Sequence, residues 1–175
     1  MNVSLGDAAW WLSFVCWMAL IAYYDLRLRR VPNVLIVWPV FTQVLFLAYG
    51  SWSGQPLGST PGWGAAFGGF AVGLAFIVLW SRKIMGAGDV KFMAAVGLWV
   101  GWAPLLGLIA LASILAGLHA IMHFSPPGRY VLIRLNQDAN IPFAGYMALA
   151  GLSMVLMRWN SDWCSLFSLR SCTPY

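Results

Sequence analysis

The sequence predicts an all-α polytopic membrane protein, built as a bundle of about six transmembrane helices. Hydrophobic residues make up 61% of the chain and charged residues only 9%, whereas a soluble domain carries about 25% charged residues. Mean hydropathy is +0.77. The basic residues cluster in loops beside apolar runs, a pattern that indicates membrane orientation and argues against a nucleic-acid partner. The 11 Trp suit belts at the two membrane interfaces.

Six apolar runs have the length of about 17–25 residues that a spanning helix needs, or come close to it. They form one integral-membrane domain over residues 1–175. Pro32 suits the opening of the second helix, because proline is favoured in the first helical turn. The predicted helices cover residues 8–24, 34–49, 64–80, 88–102, 105–123 and 141–157, and a polar tail covers 158–175.

Glycines recur at helical spacing in the third predicted helix. Gly64 with Gly68, and Gly69 with Gly73, form two small-xxx-small pairs. Such pairs let helix backbones approach closely in lipid. Helix packing is therefore the expected role of these glycines.

Loop charges predict the orientation of the bundle. Eight Lys and Arg residues lie in the loops that follow helices one, three and five or just past them, against two in the tail. The positive-inside rule then places both termini outside and the odd-numbered loops in the cytoplasm. Asp25 and Asp89 consequently fall at the same, cytoplasmic face.

These two aspartates are candidate catalytic residues. The chain has five acidic residues in all, and an acid at the end of an apolar helix is costly and often functional. Two carboxylates close in space share one proton, so one can polarise a carbonyl while the other takes a proton from water. The pair titrates as a unit, which leaves the two roles unassigned.

Gly86 and Gly88 flank the approach to Asp89. Glycine adopts unusual backbone angles and admits a second chain, as an extended peptide substrate would require. The alternative interpretation is a loop bend before a helix, with Asp89 as its N-cap. Asp25 at the same membrane face favours the catalytic interpretation.

Three motifs together resemble one known family. The run Gly-Ala-Gly-Asp-Val-Lys at 86–91 resembles the GxGD signature of the type IV prepilin peptidases, which are intramembrane aspartic proteases. Asp25, followed by Arg27, Arg30 and Val-Pro-Asn at 31–33, resembles the family's first-aspartate motif, with Val31 replacing the usual Ile. Ile-Pro-Phe-Ala at 141–144 is similar to a motif at the last helix, although Gly145 stands where proline is common.

The resemblance implies an aspartic endopeptidase of the bacterial inner membrane that uses Asp25 and Asp89, without metal or cofactor. Its substrate would be a prepilin or pseudopilin precursor, cut after the short basic leader at the cytoplasmic face, and pilus-assembly machinery would be a possible partner. Gly86, Gly88, Lys91, Pro32, Asn33 and Pro142 would support the motifs or bind substrate. The chain looks like the minimal form associated with tight-adherence (Flp-type) pili or with archaeal preflagellins, and N-methylation is not expected.

Several polar residues have less specific interpretations. Arg27, Arg29 and Arg30 are expected to anchor a loop at anionic lipid, the alternative being that they steady the substrate or the catalytic carboxylates. Lys91 is expected to face headgroups or an acidic substrate residue. His119 and His123 share a helix face, but a zinc protease would need a Glu that this chain lacks. Cys16 is interpreted as a small buried hydrophobe. Cys164 and Cys172 could pair if the tail faces an oxidising compartment.

Two other classes of function compete with the peptidase. A proton-coupled transporter would more naturally carry acids near the bilayer midplane at broken helices. A non-catalytic membrane scaffold of a pilus or secretion machine would tolerate loss of either acid. Both motif acids at one face favour the peptidase.

Overall fold

A computed structural model describes residues 5–28, 31–54, 60–83, 85–124 and 143–166, with only the backbone described for 122–124 and 157–166. Within these ranges the chain is helical and contains no strand, which confirms the all-α class. The helices are α1 (Leu5–Leu28), α2 (Val34–Ser53), α3 (Trp63–Ala75), α4 (Ile77–Ser81), α5 (Ala87–Val100), α6 (Trp102–Phe124) and α7 (Phe143–Leu166).

Four helical segments of the described chain are long and apolar enough to cross a membrane, so the protein is a multi-pass membrane protein. They are Leu5–Leu28, Val34–Ser53, Trp63–Ser81 and Trp102–Ile121. The 14 residues of α5 span about 21 Å, less than the roughly 30 Å of a bilayer core. A short α5 is compatible with its position inside the bundle.

Several predicted boundaries differ from the structure, and two of the differences change the description of a helix. The predicted helix at 64–80 is interrupted by a turn at Phe76, where the backbone N–H bonds to Gly73 O at 3.3 Å in a tighter 3₁₀-like turn. The last helix continues to Leu166, so the segment predicted as a polar tail begins inside α7. Polarity alone does not end a helix, because backbone hydrogen bonds continue wherever no residue interrupts them.

Helix α5 is the centre of the core. All eight residues from Phe92 to Trp99 are buried, as expected for a helix that is apolar on every side. On α1 a stripe that includes Trp10, Phe14 and Trp17 faces it, with ring centroids 5.3–5.7 Å from Trp99. Trp10, Trp17 and Trp99 are buried, so the expectation of interfacial belts is wrong for these three tryptophans. Aromatic contact and burial within the bundle explain their position.

Close backbone packing joins α3 to α5. A Cβ added at Gly69 would lie 2.1 Å from Gly97 O, and one added at Gly73 would lie 2.5 Å from the Ala94 Cα. No side chain fits at these distances. We call Gly69, Gly73, Ala94 and Gly97 the glycine seam. Of the two predicted glycine pairs, only Gly69 and Gly73 make this contact: a Cβ at Gly64 would meet no described atom within 4 Å.

A proline in α2 removes one backbone hydrogen bond from that helix, and a tryptophan of α1 replaces it. Pro39 lies inside α2 and has no N–H to offer the carbonyl of Leu35, four residues earlier. The indole N–H of Trp17 donates to Leu35 O at 2.7 Å instead. Backbone groups in a membrane must find partners within the protein, so this bond lets α2 keep a proline.

Cys16 is exposed on α1 rather than buried. The buried stripe of this helix includes Phe14, Trp17, Met18 and Ile21. Cys16 falls on the opposite side of the helix, since successive residues are rotated by about 100°. The expectation of a buried thiol is therefore wrong.

Candidate active site

Asp25 and Asp89 lie at the same end of the bundle. Asp25 is in the last turn of α1, which continues to Leu28 rather than stopping at Asp25 as the sequence suggested, and it is buried. Asp89 is the third residue of α5 and half-buried. The two carboxyl groups are close enough to interact electrostatically. The fold thus brings together two acids 64 positions apart.

The first turn of α7 contacts both carboxylates. The backbone N–H of Gly145 donates to Asp25 Oδ2 at 2.6 Å, and the backbone N–H of Ala144 donates to Asp89. The first N–H groups of a helix have no partner within the helix, and they form the positive end of the helix dipole. Two consecutive amides therefore hold the two acids side by side. We call these four residues the carboxylate junction.

Asp89 also caps its own helix, although it is not the N-cap residue. Gly86 is the N-cap, and its backbone N–H donates to the Asp89 carboxylate. This reach from the third helical position back to the N-cap is the acidic half of a capping box. The capping interpretation and a catalytic role are therefore compatible in geometry.

The expectation of unusual backbone angles at the motif glycines is wrong. Gly86 has φ −70° and ψ 144°, which any residue can adopt. Gly88 is helical, and the positive-φ glycines of the described chain are Gly54 and Gly101. What Gly88 provides is space, since a Cβ there would meet no described atom within 4 Å.

Lys91 connects the second motif to the first. Its Nζ donates to Asn33 Oδ1 at 3.3 Å. Asn33 is the N-cap of α2 but makes no capping bond with its side chain, and Pro32 precedes it directly. The partner expected for Lys91 was a headgroup or a substrate acid, so the sequence missed this contact between helices.

A second pair missed by the sequence lies beside the junction. The Tyr146 hydroxyl and His119 Nδ1 share a hydrogen bond between α7 and α6. Sequence offered no signal for it, because the partners are 27 positions apart and outside the recognised motifs. The backbone donors of Ala144 and Gly145 were missed as well, since a motif defined by side chains does not report which main-chain groups are unpaired.

Several other predicted residues lie outside the part of the chain that the structure describes. Pro142, Arg29, Arg30 and Cys172 lie outside the described residues, as do the side chains of His123 and Cys164. Arg27 lies over the ring of Tyr23, 6.0 Å from its centroid. Among the described residues, no group of three or more His, Cys, Asp or Glu side chains is arranged to hold a metal ion.

Several curated proteins are similar to this chain over part of its length. A prepilin leader peptidase/N-methyltransferase of Aeromonas salmonicida is 30% identical over 141 residues, covering 75% of this chain and 43% of the relative. One of Xanthomonas campestris is 26% identical over 150 residues, covering 84% and 48%. The leader peptidase HopD of Salmonella typhimurium is 34% identical over 92 residues, covering 51% and 56%.

The chain spans about half the length of these curated relatives. No solved structure matches it significantly. The model of the type IV leader peptidase family matches residues 12–121, a region that includes both Asp25 and Asp89. The chain therefore belongs to the type IV leader peptidase family.

Proposed function

We propose that this protein is an intramembrane aspartic endopeptidase that removes the short basic leader from type IV prepilin-like precursors. The observation that carries the proposal is the carboxylate junction, where Asp25 and Asp89 interact and accept hydrogen bonds from adjacent amides. Relatives named as prepilin leader peptidases support this substrate class. A prepilin or pseudopilin precursor is thus the proposed partner.

The chemistry follows from two adjacent carboxyl groups that share one proton. The ionised carboxylate takes a proton from water while the water oxygen bonds to the scissile carbonyl carbon. The protonated partner donates to the carbonyl oxygen, as in other aspartic proteases. Collapse of the tetrahedral intermediate breaks the C–N bond, and a proton passes to the leaving amine.

The surroundings of the pair suit an extended peptide. Gly88 leaves open space one residue before Asp89, and the neighbouring Gly86 and Ala87 are exposed. Because hydrogen bonds already hold the carboxylates in place, these groups need not rearrange when charge develops during the reaction. A peptide that approaches along Gly86–Gly88 would reach both acids from the open side.

We place the reaction at the cytoplasmic face of the bacterial inner membrane, with both termini outside. Support comes from the exposed basic residues at the same end of the bundle as the acids, which include Arg27, Arg82, Lys83 and Lys91. Positive loops remain on the cytoplasmic side of bacterial membranes. Cysteine-accessibility labelling of variants in these loops, in intact cells and in inverted vesicles, would test the orientation.

The deciding experiment measures cleavage by protein purified in detergent. A panel of type IV prepilin and pseudopilin precursors is incubated with wild type, Asp25→Asn and Asp89→Asn, and the products are read by mass spectrometry. Each substitution removes one acid but keeps the side-chain size and an acceptor oxygen. We expect cleavage by wild type and a loss of about 10²–10⁴-fold in each variant.

The matched control is Asp7→Asn, which changes an acid in the first turn of α1, far along the helix from Asp25. It should cleave at the wild-type rate. Cleavage that survives in both Asp25→Asn and Asp89→Asn would disprove the aspartic mechanism. No cleavage of any precursor by wild type would instead favour a non-catalytic scaffold.

A further inference from the structure

The contact between His119 and Tyr146 joins two helices beside the carboxylate junction. His119 is on α6 and Tyr146 on α7, and both are half-buried. Their side chains are hydrogen-bonded, and their rings meet edge to face with centroids 5.7 Å apart and an interplanar angle of 62°. A half-buried polar contact of this kind restricts how one helix can slide or rotate against the other.

Tyr146 directly follows the two residues whose amides contact the acids. A change in the rotation of α7 would therefore redirect the N–H groups of Ala144 and Gly145. Gly145 itself packs closely against α1: a Cβ there would lie 3.2 Å from the Leu26 side chain and 3.3 Å from Asp25 Oδ2. The first turn of α7 is thus confined by α1 at Gly145 and contacted by His119 of α6 at Tyr146.

We propose that His119 and Tyr146 form a positioning pair that fixes the first turn of α7, so that the amides of Ala144 and Gly145 hold Asp89 and Asp25 together. Its catalytic consequence rests on the proposed peptidase function, but its structural consequence does not. The pair acts through the backbone amides. Cleavage without it should be slower because the acids are misplaced by a fraction of an ångström, whereas the binding of the precursor is unchanged.

Kinetics of substituted proteins test the catalytic consequence. Tyr146→Phe removes a single oxygen, and His119→Ala removes its partner. We expect each to lower kcat for precursor cleavage by about 10–100-fold, since small misplacements of reacting groups have effects of this size, with KM unchanged. The double variant should be no slower than the slower single variant, because both remove the same interaction.

Tyr49→Phe is the control, since it removes the same oxygen from an exposed tyrosine on α2 and should retain the wild-type kcat. A wild-type kcat in Tyr146→Phe would overturn the proposal. So would a double variant in which the two losses multiply, because that result assigns His119 and Tyr146 separate roles. If His119→Ala does not fold, Tyr146→Phe still decides the question.

Hydrogen–deuterium exchange tests the structural consequence without cleavage. In wild type the amides of Ala144 and Gly145 are protected by their bonds to the acids, and protection reports local opening. We expect faster exchange in residues 143–146 of Tyr146→Phe, with unchanged exchange at the glycine seam. Unchanged exchange at 143–146 would overturn the positioning role. If wild type cleaves no precursor, the proposed function fails while exchange still decides whether the pair positions α7.

Discussion

At the glycine seam α5 is held by direct backbone contact with α3, whereas at its N-terminal end it is held by hydrogen bonds to the first turn of α7. In the seam, Gly69 and Gly97 are so close that a single added carbon would lie 2.1 Å from a carbonyl oxygen. In the carboxylate junction, Asp25 Oδ2 and the Gly145 N–H are 2.6 Å apart. The seam includes Ala94 and Gly97 of α5, and the junction includes Asp89 in the first turn of the same short helix.

The difference between the two regions lies in what each can tolerate. The seam depends on the lack of side-chain atoms, because two helix backbones touch only where no Cβ lies between them. The junction depends on hydrogen-bond donors, because a buried carboxylate without donors costs free energy. An added methyl group should therefore damage the seam, whereas the loss of a polar atom should damage the junction.

The largest expected effect comes from Gly69→Ala in the seam. The new methyl group has no room beside Gly97, so α3 and α5 must separate, and overpacking of this severity should cost at least about 3 kcal/mol. Thermal unfolding in detergent, followed by circular dichroism, measures the loss. In Gly64→Ala the methyl group enters open space and should stabilise the helix by about 0.5–1 kcal/mol. Equal effects at the two positions would contradict the close packing of the seam.

The second prediction concerns the carbonyl oxygen of Leu35 on α2, which depends on a hydrogen-bond donor from another helix, as the carboxylates of the junction do. Trp17→Phe leaves Leu35 O without its indole donor, which should cost about 1 kcal/mol beyond the lost packing. In a Pro39→Ala background the restored N–H at position 39 can bond to that oxygen. The cost of Trp17→Phe should therefore be smaller there by about the same amount. An identical cost in both backgrounds would show that the indole bond contributes nothing to stability.

The smallest effect concerns the connection between α4 and α5, which leads from the seam to the junction. Lys83 has φ +58°, a left-handed conformation that costs about 1 kcal/mol for residues with a Cβ. Lys83→Gly should therefore raise stability by about 0.5–1 kcal/mol in thermal unfolding. Arg82 has φ −88°, so Arg82→Gly should instead lower stability. Two changes of the same sign would contradict the strain at Lys83.

Sequence predicted the class and the two acids for a clear physical reason. Hydrophobic composition is a property of the chain that no tertiary contact alters, and it is sufficient to identify a membrane protein. Asp25 and Asp89 stood out because charge is expensive next to an apolar run. The motif that contains Asp89 was recognisable from its two glycines, although the unusual backbone angles expected for them were not found.

Helix ends and side-chain partners were less predictable. Asp25 proved to be inside α1, and α7 continued past a polar segment, because local hydrogen bonds outweigh residue polarity at a helix end. Tryptophans expected at the interface were found around Trp99, since shape within the bundle decides which aromatic rings are buried. The Lys91–Asn33 bond joins residues 58 positions apart, and no local pattern contains that information.

The amino-acid sequence is sufficient to identify a membrane-embedded helical protein with two candidate acids at the ends of apolar helices. How those acids are held depends on the packing of the helices. The N–H groups at the start of α7 have no partner within their own helix. They bind Asp25 and Asp89 because the bundle brings that helix end against α1 and α5. Every residue except proline offers the same backbone N–H, so the role of these two amides depends on where the fold places them.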